Sequence, residues 1–238
     1  MKIAILGYGK MGKTIEQLAL DKGHEIVLRI DDKNVDQLTA DNLRQADVAI
    51  EFTRPEAAVG NIGCCFDAGV PVVSGTTGWL DQMAVVKERC ESKNGGLFYA
   101  SNYSVGVNIF FAINRQLAKM MNEQPQYTVD MEEIHHTQKL DAPSGTAITL
   151  AEGIMDEIKG KTSWVNEATT EAQAIPIISK RIDKVPGTHS IRYRSAVDDI
   201  EICHTAHSRL GFASGALLAA EWMVGRSGVY GMKDLLGF

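Results

Sequence analysis

The chain has 238 residues, with 24 Lys plus Arg against 30 Asp plus Glu and a formal charge of −6. A phosphate-backbone partner calls for a basic surplus, so nucleic-acid binding is excluded as the main role, and 45% hydrophobic with 23% charged residues excludes extensive disorder. No window approaches the roughly 18 uninterrupted apolar residues of a membrane span, Gly7 interrupts the N-terminal apolar run too early for a signal peptide, and Cys64, Cys65, Cys90 and Cys203 lack Cys-x-x-Cys spacing, so a cytoplasmic protein with reduced thiols is expected.

Lys2 to Leu6 is a short run rich in branched apolar residues, followed by Gly7-Tyr8-Gly9-Lys10-Met11-Gly12 and then by helical periodicity from Thr14 to Asp21. This order is strand, tight turn, helix. A second strand, Glu25 to Ile30, leads into Asp31-Asp32, and Asp31 lies 19 residues beyond Gly12, the spacing of a dinucleotide-binding fold. Asp32 to Ala46 is polar and weakly periodic and is assigned no regular structure. Strands follow at Val48 to Phe52, Val70 to Ser74 and Gly96 to Ala100, with helices at Pro55 to Ala68 and Leu80 to Ser92 between them. Alternation of this kind predicts a parallel sheet.

After Asn102 the pattern changes. A long helix is predicted from Val105 to Met121, a strand from Tyr127 to His135, a helix from Gly145 to Ile158, and β-runs at Ala174 to Arg181, His189 to Ser195 and Asp199 to Ala206. An apolar helix from Ser214 to Val224 and a docked segment from Met232 to Phe238 complete the chain. The fold class is therefore α/β: a Rossmann-type parallel-sheet dinucleotide-binding domain over 1–104, completed by 209–238, plus an α+β domain over 105–208 with a mixed or antiparallel sheet.

In the glycine loop Gly7 permits the sharp turn, Gly9 admits a pyrophosphate to backbone N–H groups, and Gly12 allows close packing of helix on strand. Asp31 is placed to accept hydrogen bonds from the adenosine ribose of NAD, whereas Lys10, Lys13 and Lys33 would suit the extra phosphate of NADP or merely face solvent. NADH against NADPH stays open.

The most informative stretch is Glu133-Ile134-His135-His136-Thr137-Gln138-Lys139-Leu140-Asp141-Ala142-Pro143-Ser144-Gly145-Thr146-Ala147. Two histidines and a lysine within five residues supply groups for proton transfer to an anionic substrate, and the helix opening at Ser144 offers free N–H groups to a carboxylate. Taken singly, each has a plainer alternative: an exposed loop for the His pair, a simple helix cap for Ser144. No metal site is expected, because His-Glu-x-x-His and paired Cys/His spacings are missing and neighbouring strand residues point to opposite faces.

This run resembles the signature of the dihydrodipicolinate reductases (4-hydroxy-tetrahydrodipicolinate reductases) of bacterial lysine and diaminopimelate synthesis. The resemblance extends to Phe52-Thr53-Arg54-Pro55, Ser74-Gly75-Thr76-Thr77-Gly78, Ser101-Asn102-Tyr103-Ser104-Val105-Gly106-Val107-Asn108, and His204 through Gly215. It implies NADH or NADPH as cofactor, held by Gly7, Tyr8, Gly9, Lys10, Met11, Gly12, Asp31, Phe52, Gly75, Thr76, Thr77, Ser101, Asn102 and Tyr103. It further implies His135 and Lys139 as the proton-handling residues, and His136, Lys139, Ser144, Gly145 and Thr146 as the site for a cyclic dicarboxylate, with Arg209 adding charge. The second domain would then bind substrate and assemble a homotetramer, with domain closure excluding water. Two departures stand out: the segment between Asp31 and Val48 is shorter than in longer members, and Tyr103 stands where many carry Phe. The competing readings are another two-domain NAD(P)-dependent dehydrogenase, acting on homoserine or aspartate semialdehyde, and a non-catalytic NAD(P)H sensor; neither gives a purpose to His135 through Thr146.

Overall fold

The computed structural model describes residues 1–208 and 210–238. In chain order the elements are β1 (Lys2–Leu6), α1 (Lys10–Asp21), β2 (Glu25–Ile30), α2 (Ala40–Leu43), β3 (Val48–Glu51), α3 (Pro55–Ala68), β4 (Val72–Ser74), α4 (Met83–Ser92), β5 (Gly96–Tyr99) and α5 (Val105–Met121). They continue with β6 (Thr128–His135), α6 (Gly145–Met155), β7 (Ser163–Val165), β8 (Ala174–Arg181), β9 (Gly187–Arg194), β10 (Asp199–Ala206), α7 (Leu210–Met223), β11 (Gly228–Tyr230) and α8 (Met232–Leu236). Two compact units result: Met1–Val105 with Leu210–Phe238, and Gly106–Arg209.

The first unit is built on a six-stranded sheet in the order β11-β5-β4-β3-β1-β2, and every pairing in it is parallel. Both faces are buried, which explains why its strands read as continuous apolar runs. Alternation along β1 sends Ile3 and Ile5 into one core with α1 and α7, and Ala4 and Leu6 into the other with Ile62 and Phe66 of α3. Pro55 opens α3, where its missing N–H costs nothing, and Gly69 closes it at φ 71°. The strand order reverses between β1 and β3, so the crevice outside their carboxyl ends is the expected ligand position of such a sheet.

The segment expected to lack regular structure contains a 3₁₀ turn at Val35–Gln37 and the single-turn α2. Thr39 caps α2 by accepting from the Asn42 N–H, and fully buried Leu43 anchors it. One cap and one apolar anchor are too little to register as periodicity. Strands β7 and β11 were likewise not expected; each has three residues and forms only because a longer neighbour, β8 or β5, offers an edge.

The second unit carries a mixed five-stranded sheet in the order β10-β9-β6-β8-β7, with β6 antiparallel to β9 and parallel to β8. Val129 and Met131 of β6 pack with Phe110 and Ala118 of α5 and Leu150 and Ile154 of α6. On the opposite face the same strand carries Glu132, paired with Lys180 at 2.6 Å. Glu133 and His135 continue the buried alternation of β6; two polar side chains thus enter the face that is otherwise core.

Candidate active site

In the first unit the turn after β1 meets the turn after β3. Gly7 takes φ 98°, and a Cβ there would lie 2.0 Å from the Phe52 carbonyl oxygen, so only glycine fits. Gly12 is buried, and its Cβ would lie 2.4 Å from the Gly7 oxygen. Gly9 differs: a Cβ would meet nothing within 4 Å, and it caps α1 without a side chain. The open space and the uncapped first turn, where helix N–H groups lack intrahelical partners, fit a pyrophosphate.

A cleft of about 510 Å³ is lined here by Gly7, Tyr8, Gly9, Asp31, Asp32, Lys33, Val35, Phe52, Thr53 and Arg54, among others. Asp31 is exposed and accepts the Lys33 N–H at 2.8 Å, which shapes the loop while leaving its second oxygen to a ligand. Arg54 and Asp32 pair at 3.2 Å beside it. Lys10 and Met11 form the first turn of α1, and Lys13 stands 5.7 Å from the Tyr8 ring centroid.

Gly75, Thr76 and Thr77 follow β4, and Ser101, Asn102 and Tyr103 follow β5; none of these six lines the cleft. Gly75 abuts Phe52 so closely that a Cβ would lie 2.1 Å from its ring. Thr77 and Ser101 are exposed, and Asn102 is half-buried with its side-chain oxygen accepting the Ser104 N–H. Tyr103 is 2% exposed, and its hydroxyl donates to the Ser74 carbonyl at 2.6 Å. It packs 5.7 Å from Phe52, so its influence on a ligand passes through that ring.

Sequence reasoning missed Glu51, the last residue of β3, which is fully buried. Its carboxylate accepts from Ser74 Oγ at 2.6 Å, Thr76 Oγ1 at 2.8 Å, the Thr53 N–H at 3.1 Å and the Thr53 hydroxyl. One acid thus ties the turn after β3 to the turn after β4. The signal was an acid closing the apolar run Val48-Ala49-Ile50.

The second unit holds a different cluster. Strand register places Glu133 opposite His189 of β9 and His135 opposite Arg181 of β8, while alternation puts Glu133 and His135 on one face. Glu133 Oε2 lies 3.0 Å from His135 Nδ1 and 3.8 Å from His189 Nε2, and Oε1 accepts from Arg181 at 3.0 Å. Burial acts to raise the Glu133 pKa, but the polar groups gathered around it, His135 first and then Ser144, Ser179 and Arg181, outweigh it and hold the carboxyl far below the ordinary glutamate range. Burial, then the neighbouring His135, pushes His189 down to about 4. Donor atoms of Glu133, His135 and His189 lie within 4.8 Å of one another, a spacing that a metal ion would accept, yet the carboxylate already has the Arg181 guanidinium as its cation. Alternation separates His135 from His136, as expected, but it does not separate His135 from a histidine on the next strand.

Ser144 caps α6, accepting the Ala147 N–H at 3.2 Å, and also reaches His189 Nε2 at 3.1 Å. Gly145 is exposed with open space around it, and Thr146 is half-buried in the first turn. Lys139 sits on the loop between β6 and α6, its ammonium 2.8 Å from both Asp141 oxygens. That ammonium first, by hydrogen bonding, holds the Asp141 carboxyl below its usual range. Arg181 donates to the Asp141 carbonyl at 2.6 Å, which fastens this loop to the end of β8. His136 is half-buried at its start. The structure therefore gathers His135, Ser144, Glu133, His189 and Arg181 into one network beside the Lys139 loop; Arg209 lies outside the described residues.

Comparison with known proteins agrees across the chain. Residues 1–103 match the family model for the dihydrodipicolinate reductase N-terminus, and residues 106–236 match that for its C-terminus. The 4-hydroxy-tetrahydrodipicolinate reductase of Christiangramia forsetii is 50% identical, covering 99% of this chain and 98% of that one, and its namesake from Neisseria gonorrhoeae is 33% identical, covering 100% and 97%. In fold, the chain is similar to a dipicolinate-bound dihydrodipicolinate reductase from Paenisporosarcina sp. TG-14, with a TM-score of 0.82, 24% identity and 98% of each chain covered. No described helix is long and apolar enough to cross a membrane. Two family models spanning nearly every residue, and relatives matched end to end, mean that this chain belongs to the dihydrodipicolinate reductase family, oxidoreductases of lysine and diaminopimelate synthesis.

Proposed function

We propose that the chain reduces 4-hydroxy-2,3,4,5-tetrahydrodipicolinate to 2,3,4,5-tetrahydrodipicolinate, with His135 and Lys139 handling protons. Substrate, reduced nicotinamide cofactor and one proton give product, oxidised cofactor and water. The nicotinamide, when bound, supplies the hydride. The chain's own residues supply the rest. The unit built on 1–104 and 209–238 holds the cofactor: Gly7, Tyr8, Gly9, Lys10, Met11 and Gly12 at the phosphates, Asp31 at the ribose, and Phe52, Gly75, Thr76, Thr77, Ser101, Asn102 and Tyr103 toward the ring.

The unit over 105–208 holds the substrate. His136, Lys139, Ser144, Gly145 and Thr146 take its carboxylates, the last two through N–H groups that open α6 and lack intrahelical partners. Lys139 exchanges the Asp141 carboxylate for that of the substrate, one anion for another, so its charge is never left bare. The observation that carries this reading is the buried cluster of His135, Glu133, His189 and Ser144 next to that loop, an anion-binding helix start beside a proton-handling group.

NADH and NADPH are both accepted in this reading. Asp31 favours the free ribose, while Lys33 and Arg54, which line the same cleft, are cations within the reach of a 2′-phosphate. A cytoplasmic homotetramer is part of the proposal, supported by family membership and by four unpaired cysteines. The test is a steady-state assay coupled to the synthase that makes the substrate, following nicotinamide absorbance with each cofactor. Oxidation that depends on the synthase product is expected; none with either cofactor overturns the reading.

A further inference from the structure

Glu133 is the one fully buried carboxylate described in the second unit, and neither the family signature nor proton transfer itself explains why it is there. Its Oε2 stands 3.0 Å from His135 Nδ1, and neither atom has a hydrogen-bond partner elsewhere among the described residues. Two buried polar atoms so close and otherwise unserved must serve each other. An ionised carboxylate has no proton to give, so the proton between them belongs to Nδ1.

The opposite side of the same ring is kept clear. A Cβ on Gly187 would lie 3.0 Å from His135 Nε2, so glycine at this point of β9 leaves that nitrogen uncovered by a side chain. His189, directly across from Glu133, is held neutral by its burial and is occupied with Ser144. It therefore adds no second imidazolium to the cluster.

We infer that Glu133 is a positioning residue: it fixes the tautomer and orientation of His135, with Nδ1–H toward the carboxylate and Nε2 as the working atom, and through Arg181 it holds the Lys139 loop in register with that ring. The second part follows from one guanidinium that donates both to Glu133 Oε1 at 3.0 Å and to the Asp141 carbonyl at 2.6 Å. A carboxylate behind a histidine is a recurrent way of choosing which ring nitrogen works. The inference rests on the reading of His135 as a proton-handling group.

The test uses the full chain labelled with ¹⁵N, with His135 signals assigned by their loss in His135→Gln. At about pH 8.5, well above the ordinary histidine pKa, two-bond ¹H–¹⁵N spectra should show the wild-type ring protonated at Nδ1. Glu133→Gln, whose amide can donate to Nδ1, should move the population toward the Nε2–H form. The same variant should lower kcat on the order of a hundredfold with little change in the NADH dissociation constant. A wild-type His135 protonated at Nε2 overturns the proposal without any variant, and so does Glu133→Gln with wild-type kcat. The tautomer is read without turnover. Failure of the wild type in the coupled assay therefore counts against the function, and a wrong tautomer counts against the role of Glu133.

Discussion

Replacing His189 by Gln should remove about 2 kcal/mol of acid sensitivity between pH 7 and pH 5. His189 is 6% exposed, and burial, then His135, pushes its pKa down to about 4 from the ordinary 6.5. The unfolded chain takes up a proton at this side chain near 6.5 and the folded chain only near 4, so between those values the unfolded state binds more protons. Stability accordingly falls as the pH falls through this window. The full gap corresponds to about 3 kcal/mol below both pKa values, of which about 2 kcal/mol is reached by pH 5. Gln is the right substitute because its amide can reach Ser144 Oγ, as Nε2 does at 3.1 Å, without titrating. Glu133, whose carboxyl is held low, contributes stability that is lost only at more acid pH, as it falls through the folded-state pKa, and so leaves this window to the histidine. Urea unfolding of both proteins at pH 7 and pH 5 measures the double difference, from which titrations common to both cancel. Identical pH dependence in the two proteins would refute the account of His189 as a histidine buried neutral.

Lys139→Ala should lower kcat on the order of a hundredfold or more while leaving NADH affinity unchanged, because the side chain belongs to the second unit; steady-state kinetics and a fluorescence titration separate the two effects. Asp31→Ser should weaken NADH and leave NADPH equal or stronger, since a ribose acceptor and a repulsive charge go together; equal losses for both cofactors would give Asp31 a purely structural role. Gly75→Ala puts a methyl 2.1 Å from the Phe52 ring, which should destabilise the fold by about 1–3 kcal/mol and raise KM for the cofactor as Phe52 is displaced; unchanged denaturation and kinetics would show that the turn yields freely.

What the sequence disclosed and what it withheld follow the range of the interactions. The turn at Gly7, the helix behind it and Asp31 were readable because strand, turn and helix are contiguous, and each signals itself by periodicity or by a residue type that only one backbone shape accepts. The start of α6 was readable for the same reason: Pro143 and Ser144 mark a helix start locally. Strand β11 was not, since Gly228–Tyr230 has no pattern of its own and extends only because Gly228 N–H finds the Gly95 carbonyl at 2.8 Å. Tyr103 shows a related limit. Its aromatic face was legible, but the carbonyls of Ser74 and Phe98 that receive its hydroxyl, at 2.6 and 3.3 Å, belong to two neighbouring strands, and that bond is not written in the local sequence.

The two buried glutamates show why the supporting residues of a site are harder to read than its working residues. Arg181 reaches Glu133 from 48 residues away, and Ser144 meets His189 across 45; strand register creates the first pair and the docking of the α6 start on the sheet the second, and neither is written in any one element. Taking a carboxylate out of water is costly unless several donors replace the water. Glu51 has donors from Thr53, Ser74 and Thr76, and Glu133 has Arg181 and the His135 ring. An apolar residue at either position would cost less to bury, so stability alone does not account for them. What a carboxylate offers there is direction: at Glu51 it binds the turns after β3 and β4 to one point, and at Glu133 it decides which nitrogen of His135 is the working atom. Apolar packing at the same place can hold a ring still, but it has no means of choosing between the two nitrogens.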